Sequence, residues 1–294
     1  ALWIRYSDNN APLNINPGAI DFRNLYLSQS GNLYSVGSIS GNISYSAIFP
    51  NNNQIPFPGT GGRVIVAKYD TSGIPVWYKI FNNQGGAMGV YCDAQDNIYI
   101  TGFFQNSIIH FDHVILSNTS SQSDGFIVKL DSSGNVLWGD KIYGANHESA
   151  LSVTVKHSDA VFITGLYAND TMYYRNQMFL PISLNSSVHS CFLLKLDSAG
   201  NFACRGIIDS ILYPAFPVPS YYLSVDVNST DTSVFVTRDF NNRSFIGKCH
   251  CPPDTLSASI SGTHTICQGG GTNVLVQFSG PGPYTFSYTD GTNT

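Results

Sequence analysis

One phrase recurs three times along the chain: Asp70-Thr-Ser-Gly73-Ile-Pro-Val-Trp77, Asp131-Ser-Ser-Gly134-Asn-Val-Leu-Trp138 and Asp197-Ser-Ala-Gly200-Asn-Phe-Ala-Cys204, with steps of 61 and 66 residues. Each copy follows an apolar run (Val64–Lys68, Phe126–Lys129, Phe192–Lys195) and precedes another. The Asp/Ser/Gly piece therefore reads as a hairpin turn between two antiparallel strands. A period longer than one hairpin means that a larger unit recurs and buries its faces against its neighbours.

A second phrase fixes the unit: Asn32-Leu-Tyr-Ser-Val-Gly37, Asn97-Ile-Tyr-Ile-Thr-Gly102, Ala160-Val-Phe-Ile-Thr-Gly165 and Ser233-Val-Phe-Val-Thr-Arg238. A short strand of smaller residues precedes it, as in Gly89–Asp93, Leu151–Val155 and Leu223–Val227. Four strands per unit follow, in the second unit over about 87–93, 97–104, 125–131 and 135–143, with about 20 residues inserted between the second and third. Sequentially connected four-stranded antiparallel units are the pattern of a β-propeller blade, and all-β is the expected class. Apolar residues fill both alternation classes of Phe126–Leu130, as a sheet buried on both faces requires. Trp77 and Trp138, opening the fourth strand, are large enough to plug the gap between blades; in the third unit Cys204 takes that place.

The reading gives a propeller over 1–251, with three complete blades and two partial ones. Ala1-Leu-Trp3-Ile-Arg-Tyr6 matches a fourth strand, and Phe245–Cys249 matches a third strand with no fourth before Cys251-Pro-Pro. The first strand either closes the last blade or belongs to a blade that begins upstream. From 252 to 294 the rhythm changes to short alternating strands between Gly/Pro turns, the start of an immunoglobulin-like sandwich.

Charged residues are 11% of the chain and the net charge is −5, without a basic run; this argues against nucleic acid as a partner. No apolar stretch is long enough to span a bilayer. Six cysteines lack metal-type spacing, which favours disulfides in an extracellular compartment. Cys191 and Cys204 share a hairpin but are out of register by about three residues, roughly 10 Å. Cys251 and Cys267 bracket a short segment and are the expected pair; a bridge there would contribute about 3 kcal/mol.

Asn97–Gly102 with Gly125–Trp138 resembles the SBBP-type β-propeller repeats of secreted bacterial proteins, over roughly residues 20–250. The tail Ile260–Cys267 with Gly282–Gly291 looks like the PKD/Ig-like modules of large surface adhesins. Such proteins commonly leave the cell by type IX secretion, so the resemblance implies a secreted, cell-surface or extracellular bacterial protein with a binding or structural role. It brings no catalytic residues. Four segments resemble the O-glycosylation motif of bacteria with that export route, at Thr171, Ser198, Ser210 and Thr255; each also reads as an ordinary turn or cap.

The Asp70, Gly73, Trp77, Asp131, Gly134, Trp138, Asp197 and Gly200 set echoes the Asp-box and the tryptophan-docking phrase of other propellers, both architectural. His110-Phe-Asp112-His113 invites a metal reading, but on a strand only His110 and Asp112 share a face. Glu148, the only glutamate, falls in the turn after Gly144, where it reads as a solvated residue. With Asp140 and His147 it would matter only if the three converged at one rim. No catalytic, cofactor or metal residue is assigned. Loops rich in Tyr and Asn (49–53, 173–176, 213–216, 221–222) suit recognition of a glycan or protein, and equally suit packing against neighbouring modules.

The expected function is a non-enzymatic adhesion or ligand-binding module. The alternatives are a stalk or fibre segment, and a glycan-active enzyme using the propeller mouth. Expected partners are other domains of the same chain, a glycan or protein ligand, or further copies of the chain.

Overall fold

The computed structural model describes residues 19–40, 46–49, 53–56, 62–105, 107–118, 120–156, 159–168, 171–180, 189–207, 222–227, 234–240, 243–249, 257–261 and 275–279. These residues are all-β, and every paired strand is antiparallel. The first unit comprises β1 (Ala19–Leu27), β2 (Leu33–Ser40), the hairpin β3 (Ser46–Phe49) and β4 (Asn53–Pro56), β5 (Arg63–Tyr69) and the start of β6 (Pro75–Cys92). The far end of β6 opens the second unit, which continues through β7 (Ile98–Phe104), the hairpin β8 (Ile108–Phe111) and β9 (Val114–Ser117), β10 (Asp124–Leu130) and β11 (Val136–Tyr143). The third has β12 (Glu148–Lys156), β13 (Ala160–Ala168), the hairpin β14 (Met172–Tyr174) and β15 (Gln177–Phe179), β16 (His189–Leu196) and β17 (Phe202–Ile207). A further sheet holds β18 (Tyr222–Val227), β19 (Val234–Phe240) and β20 (Arg243–Cys249), and β21 (Ser257–Ser261) pairs with β22 (Leu275–Ser279).

The expected strand order is thus present, with one correction. The fourth strand of the first unit and the first of the second form one uninterrupted strand, β6, which pairs with β5 and then with β7. Gln84-Gly-Gly-Ala carries the chain from one sheet to the next without a loop. The strands expected over 1–6 and 284–288 lie outside the described residues.

Both hairpin types in a unit use the same turn. In residues 70–74, 131–135 and 197–201 the Asp carboxylate accepts the backbone N–H groups two and four residues on at 2.8–2.9 Å. Gly73, Gly134 and Gly200 take the left-handed conformation at φ +75, +86 and +80. This is a type I turn followed by a left-handed residue. Residues 93–97 repeat it between the first two strands, with Asp96 at φ +59 in the glycine place. That substitution hid the turn from motif reading.

Glycine in the second strand has a different cause. Each of Gly37, Gly102 and Gly165 sits where the first strand shifts register, at Phe22/Asn24, Ala87/Gly89 and Ala150/Ser152. The bulge brings a carbonyl oxygen onto the place a Cβ would need: 1.9 Å from it for Asp21, 2.1 Å for Gly86 and 2.0 Å for Ser149. In the fourth sheet Arg238 occupies this position, and there β18 and β19 pair without a shift. Bulge and glycine come and go together, as a steric requirement demands.

The sheets pack face to face. Tyr34, Val36, Val64 and Val66 of the first unit share a buried cluster with Ile98, Ile100, Phe126 and Val128 of the second. Tyr99 and Ile127 join Val161, Ile163 and Leu194 of the third in another. The first strands of successive units lie side by side. Asn24 donates to the Met88 carbonyl at 3.3 Å, the Tyr26 and Tyr91 rings are 4.2 Å apart, and the Val225 N–H reaches Ser152 Oγ at 3.3 Å. Both faces of β10 are buried along its whole length, which explains its unbroken apolar run.

Candidate functional site

The most repeated constellation is the junction between units, and it is built by the Asp-turn phrase. Trp77 lies opposite Lys68, and Trp138 opposite Lys129. Each indole reaches into the next unit. Trp77 Nε1 donates to the Ser132 carbonyl at 3.2 Å, and Trp138 Nε1 to the Ser198 carbonyl at 3.0 Å. The paired lysines donate to the same carbonyls, at 3.1 Å and 3.4 Å. The indole lies over the turn glycine: a Cβ on Gly134 would sit 3.3 Å from Trp77, and one on Gly200 2.9 Å from Trp138. So the turn needs glycine for its φ and for the neighbour's indole. Each indole thus packs on the turn of the following unit.

Charge is concentrated at these junctions. Lys68, Lys129 and Lys195 stand over the rings of Tyr34, Tyr99 and Phe162 at 5.4, 4.8 and 6.0 Å, each ring on the adjacent strand. Lys129 also faces Asp93 at 3.5 Å, both nearly buried. Burial raises the pKa of the Asp131 and Asp197 carboxyls, but the donors of Asn135 and Asn201 and the turn backbone together outweigh it and hold them below the usual range. Both act as fixed anions that organise the turn.

The inserted hairpins lock onto the preceding unit. Arg175, at the tip between β14 and β15, pairs with Asp140 at 2.6 Å and donates to Asn201 Oδ1 at 2.9 Å. Asp112, at the equivalent tip between β8 and β9, pairs with Lys79. Lys79 and Asp140 hold the same place, two residues beyond Trp77 and Trp138, so the two locks have opposite polarity. His110 is on β8, whereas Asp112 and His113 form the turn, so the strand geometry assumed for a metal pair does not exist. Among the described residues no group of three His, Cys, Asp or Glu side chains is placed to hold a metal ion.

Two buried carboxylates, those of Asp124 and Glu148, each lie close to Gly144. Glu148 is not a solvated turn residue; it begins β12 and is wholly buried. Its N–H donates to the Ser123 carbonyl at 2.8 Å, and a Cβ on Gly144 would lie 2.7 Å from its Oε1. Asp124, which no spacing singled out, is equally buried. Among the described residues no donor closes a full hydrogen bond to either of its oxygens. Burial pushes its carboxyl up to about 6, against the pull of the Lys141 charge and the Gly144 backbone. His147 Nδ1 lies 3.1 Å from Ser123 Oγ. Asp140 is held by Arg175. A carboxylic acid near pKa 6 suits proton transfer, but neither Asp124 nor Glu148 is exposed to a substrate.

Several sequence expectations change with burial. Tyr174 does not extend to solvent; it is fully buried and its hydroxyl donates to the Gly200 carbonyl at 2.6 Å. Tyr173 stacks on Tyr143 at 5.5 Å. Thr171 and Ser198 are half-buried, and the Ser198 carbonyl is committed to Trp138. Ser210, Thr255, Cys251 and Cys267 lie outside the described residues, as do loops 213–216. Cys92 and Cys191 are thiols, whereas Cys204 is disulfide-bonded. No helix among the described residues is long and apolar enough to cross a membrane.

No protein-family model matches the chain. Over 127 residues it is 23% identical to an uncharacterized WD repeat-containing protein, L264, of Acanthamoeba polyphaga mimivirus. The match covers 39% of this chain and 9% of that protein, so the chain spans only a small part of its relative. WD repeats build propellers from four-stranded units. Together with the all-β repeat, the match supports a propeller-like repeat fold.

Proposed function

We propose that this chain is a non-enzymatic, extracellular propeller module of a large secreted or cell-surface bacterial protein, serving adhesion or ligand binding. In this reading the units are blades of the SBBP type, residues 252–294 begin a PKD/Ig-like domain, and export follows the type IX route. The observation that carries it is the use made of charge and polarity. The repeated acidic, basic and amide groups are spent inside the junctions (Asp131, Lys129, Asp140, Arg175), and the two carboxylates that could serve acid/base chemistry are buried under Gly144. What remains is a rigid scaffold carrying variable hairpins, the usual way of presenting a binding surface. The disulfide at Cys204 favours an oxidising compartment.

The test is a glycan array together with surface-protein capture, using the isolated 294-residue chain. Saturable binding that falls when residues 108–117 are replaced by a Gly/Ser linker supports the proposal. A chain that binds nothing but turns over a glycan refutes it.

A specific observation favours a second reading, a stalk or fibre segment. The β8–β9 and β14–β15 hairpins expose Ile108, Ile115, Met178 and Leu180, with Leu137 nearby on β11, each between 41% and 65% accessible. Apolar side chains on successive outer edges suit contact with neighbouring modules or copies. Concentration-dependent assembly in analytical ultracentrifugation, abolished by Ile115→Lys with Leu180→Lys, distinguishes this reading from the first.

A further inference from the structure

We propose that the bare side of β1 is a docking slot for one extended peptide strand with alternating apolar and hydroxyl or cationic residues. The first strands of the four units form a row, and β1 and β18 are its two ends. In register with their second strands, Leu25 and Leu27 hold the places taken by Val90 and Cys92, by Val153 and Val155, and by Val225 and Val227 in the later units. Those six side chains are between 4% and 6% exposed, each pair buried in a cluster with the preceding unit. Leu25 and Leu27 are 66% and 64% exposed.

The bare strip is one strand wide. Ile39 on β2 and Ile65 and Ala67 on β5 lie on the same side of the first unit, and all three are buried. A further four-stranded unit would need that whole face to be open. A single strand along β1 needs only the part that is.

The other end of the row supplies a polar wall. Ser152 and Thr154, on the side of β12 that meets the fourth unit, are 8% and 2% exposed, and Ser152 Oγ receives the Val225 N–H. Their counterparts on β18, Ser224 and Asp226, are exposed, the Asp226 side chain at 73%. The two ends lie within electrostatic reach of each other. Burial and the Tyr91 hydroxyl raise the Tyr26 phenol of β1, and the Asp226 charge adds to them.

The chain's own first strands show what such a slot takes. In Leu151-Ser-Val-Thr-Val-Lys156, alternation puts Val153 and Val155 on one side and Ser152, Thr154 and Lys156 on the other. That strand already rests beside β18, with Lys156 pairing Asp226 at 3.0 Å. A peptide of the same pattern turns its apolar side to Leu25 and Leu27, removing both from water, and its hydroxyls and lysine to Ser224 and Asp226. It continues an interface that the chain itself uses three times. The slot is also separate from the inserted hairpins on which the adhesion reading is tested.

The probe is a fluorescein-labelled peptide with the sequence of residues 149–156, titrated with the 294-residue chain and followed by fluorescence anisotropy. Saturable binding is expected. Leu25→Lys with Leu27→Lys should weaken it by at least about tenfold, as should scrambling the peptide's alternation at fixed composition. Both leucines are exposed, so far-UV circular dichroism and Tm of the variant should match wild type. Hydroxyl-radical footprinting needs no variant: Leu25 and Leu27 should be modified in the free chain and protected by the peptide. The chain with residues 108–117 replaced by a Gly/Ser linker should bind the peptide as wild type does, so the slot and the adhesion surface can fail separately. No saturable binding up to about 1 mM, or binding indifferent to the leucines or to the scrambling, overturns the proposal. So does protection of Leu25 and Leu27 in the free monomer, which makes another part of the chain the occupant. Protection that grows with self-association in sedimentation makes a second copy the occupant and overturns it equally.

Discussion

Replacing Gly200 by alanine should cost stability through Trp138, a residue of the preceding unit. Gly200 sits at φ +80, and holding an L-residue there costs about 1–2 kcal/mol. The new methyl would also meet three indole carbons at 2.9–3.1 Å. These are rigid ring atoms, so the indole must move and its 3.0 Å hydrogen bond to Ser198 must stretch; losing that bond is worth about 1 kcal/mol. The expected total for Gly200→Ala is about 2–3 kcal/mol. Trp138→Ala should cost about 3 kcal/mol. In the Trp138→Ala background, however, only the backbone term of Gly200→Ala remains, so the double variant should fall short of the sum by about 1 kcal/mol. Gly134 is the control: its φ is +86, but the nearest Trp77 atoms lie 3.3 Å away. Its coupling to Trp77 should be smaller by half or more. Urea unfolding with unchanged m-values measures all of this. Additivity within about 0.5 kcal/mol at both sites would refute the claim that turn and indole form one dock.

Three further outcomes follow from the same geometry. Asp124 titrates near 6 when folded and near 3.9 when unfolded, so its protonated form favours folding and that advantage fades as pH rises from about 4 to about 6. Asp124→Asn should be more stable than wild type by about 2 kcal/mol at pH 8 and similar at pH 4.5; parallel pH profiles by chemical denaturation would contradict this. Asp131 behaves oppositely: its pKa is held low, so its contribution is full above about pH 4 and is lost on acidification. Asp131→Ala should cost about 1–2 kcal/mol at neutral pH, and a neutral thermal shift would remove its role in the turn. Reversing one member of the exposed Asp140–Arg175 pair should cost about 1 kcal/mol, and Asp140→Arg with Arg175→Asp should recover most of it; a fully additive loss by thermal melting would show that the pair does not lock the hairpin.

The repeat was legible in the sequence because its causes are local. A turn that needs Asp and Gly at fixed places, and a strand buried on both faces, leave periodic marks, so β7, β10 and β11 stand within a residue or two of their expected bounds. The tryptophans were legible as plugs, though not their carbonyl acceptors, since these belong to the next unit. The second-strand glycine was visible as a pattern without a cause; the cause is a bulge in the neighbouring strand, absent where Arg238 stands. Glu148 follows Gly-Ala-Asn-His and so reads as part of a loop, while the fold starts β12 there and buries it. Asp124 left no signal at all: a lone Asp before a strand looks like any turn residue, and only packing between units buries it. Residues 173–176 carry the Tyr and Asn of a recognition loop, and only the pairing of β14 with β11, a long-range event, turns Tyr174 inward.

The account rests on successive units meeting through these docks, and a crystallographic density map of the chain over residues 19–249 tests that most directly. It should show the first strands side by side, with the indoles of Trp77 and Trp138 lying on Gly134 and Gly200 and Nε1 close to 3.2 and 3.0 Å from the Ser132 and Ser198 carbonyls. Units strung end to end, with both indoles in solvent and the turn glycines uncovered, would contradict it.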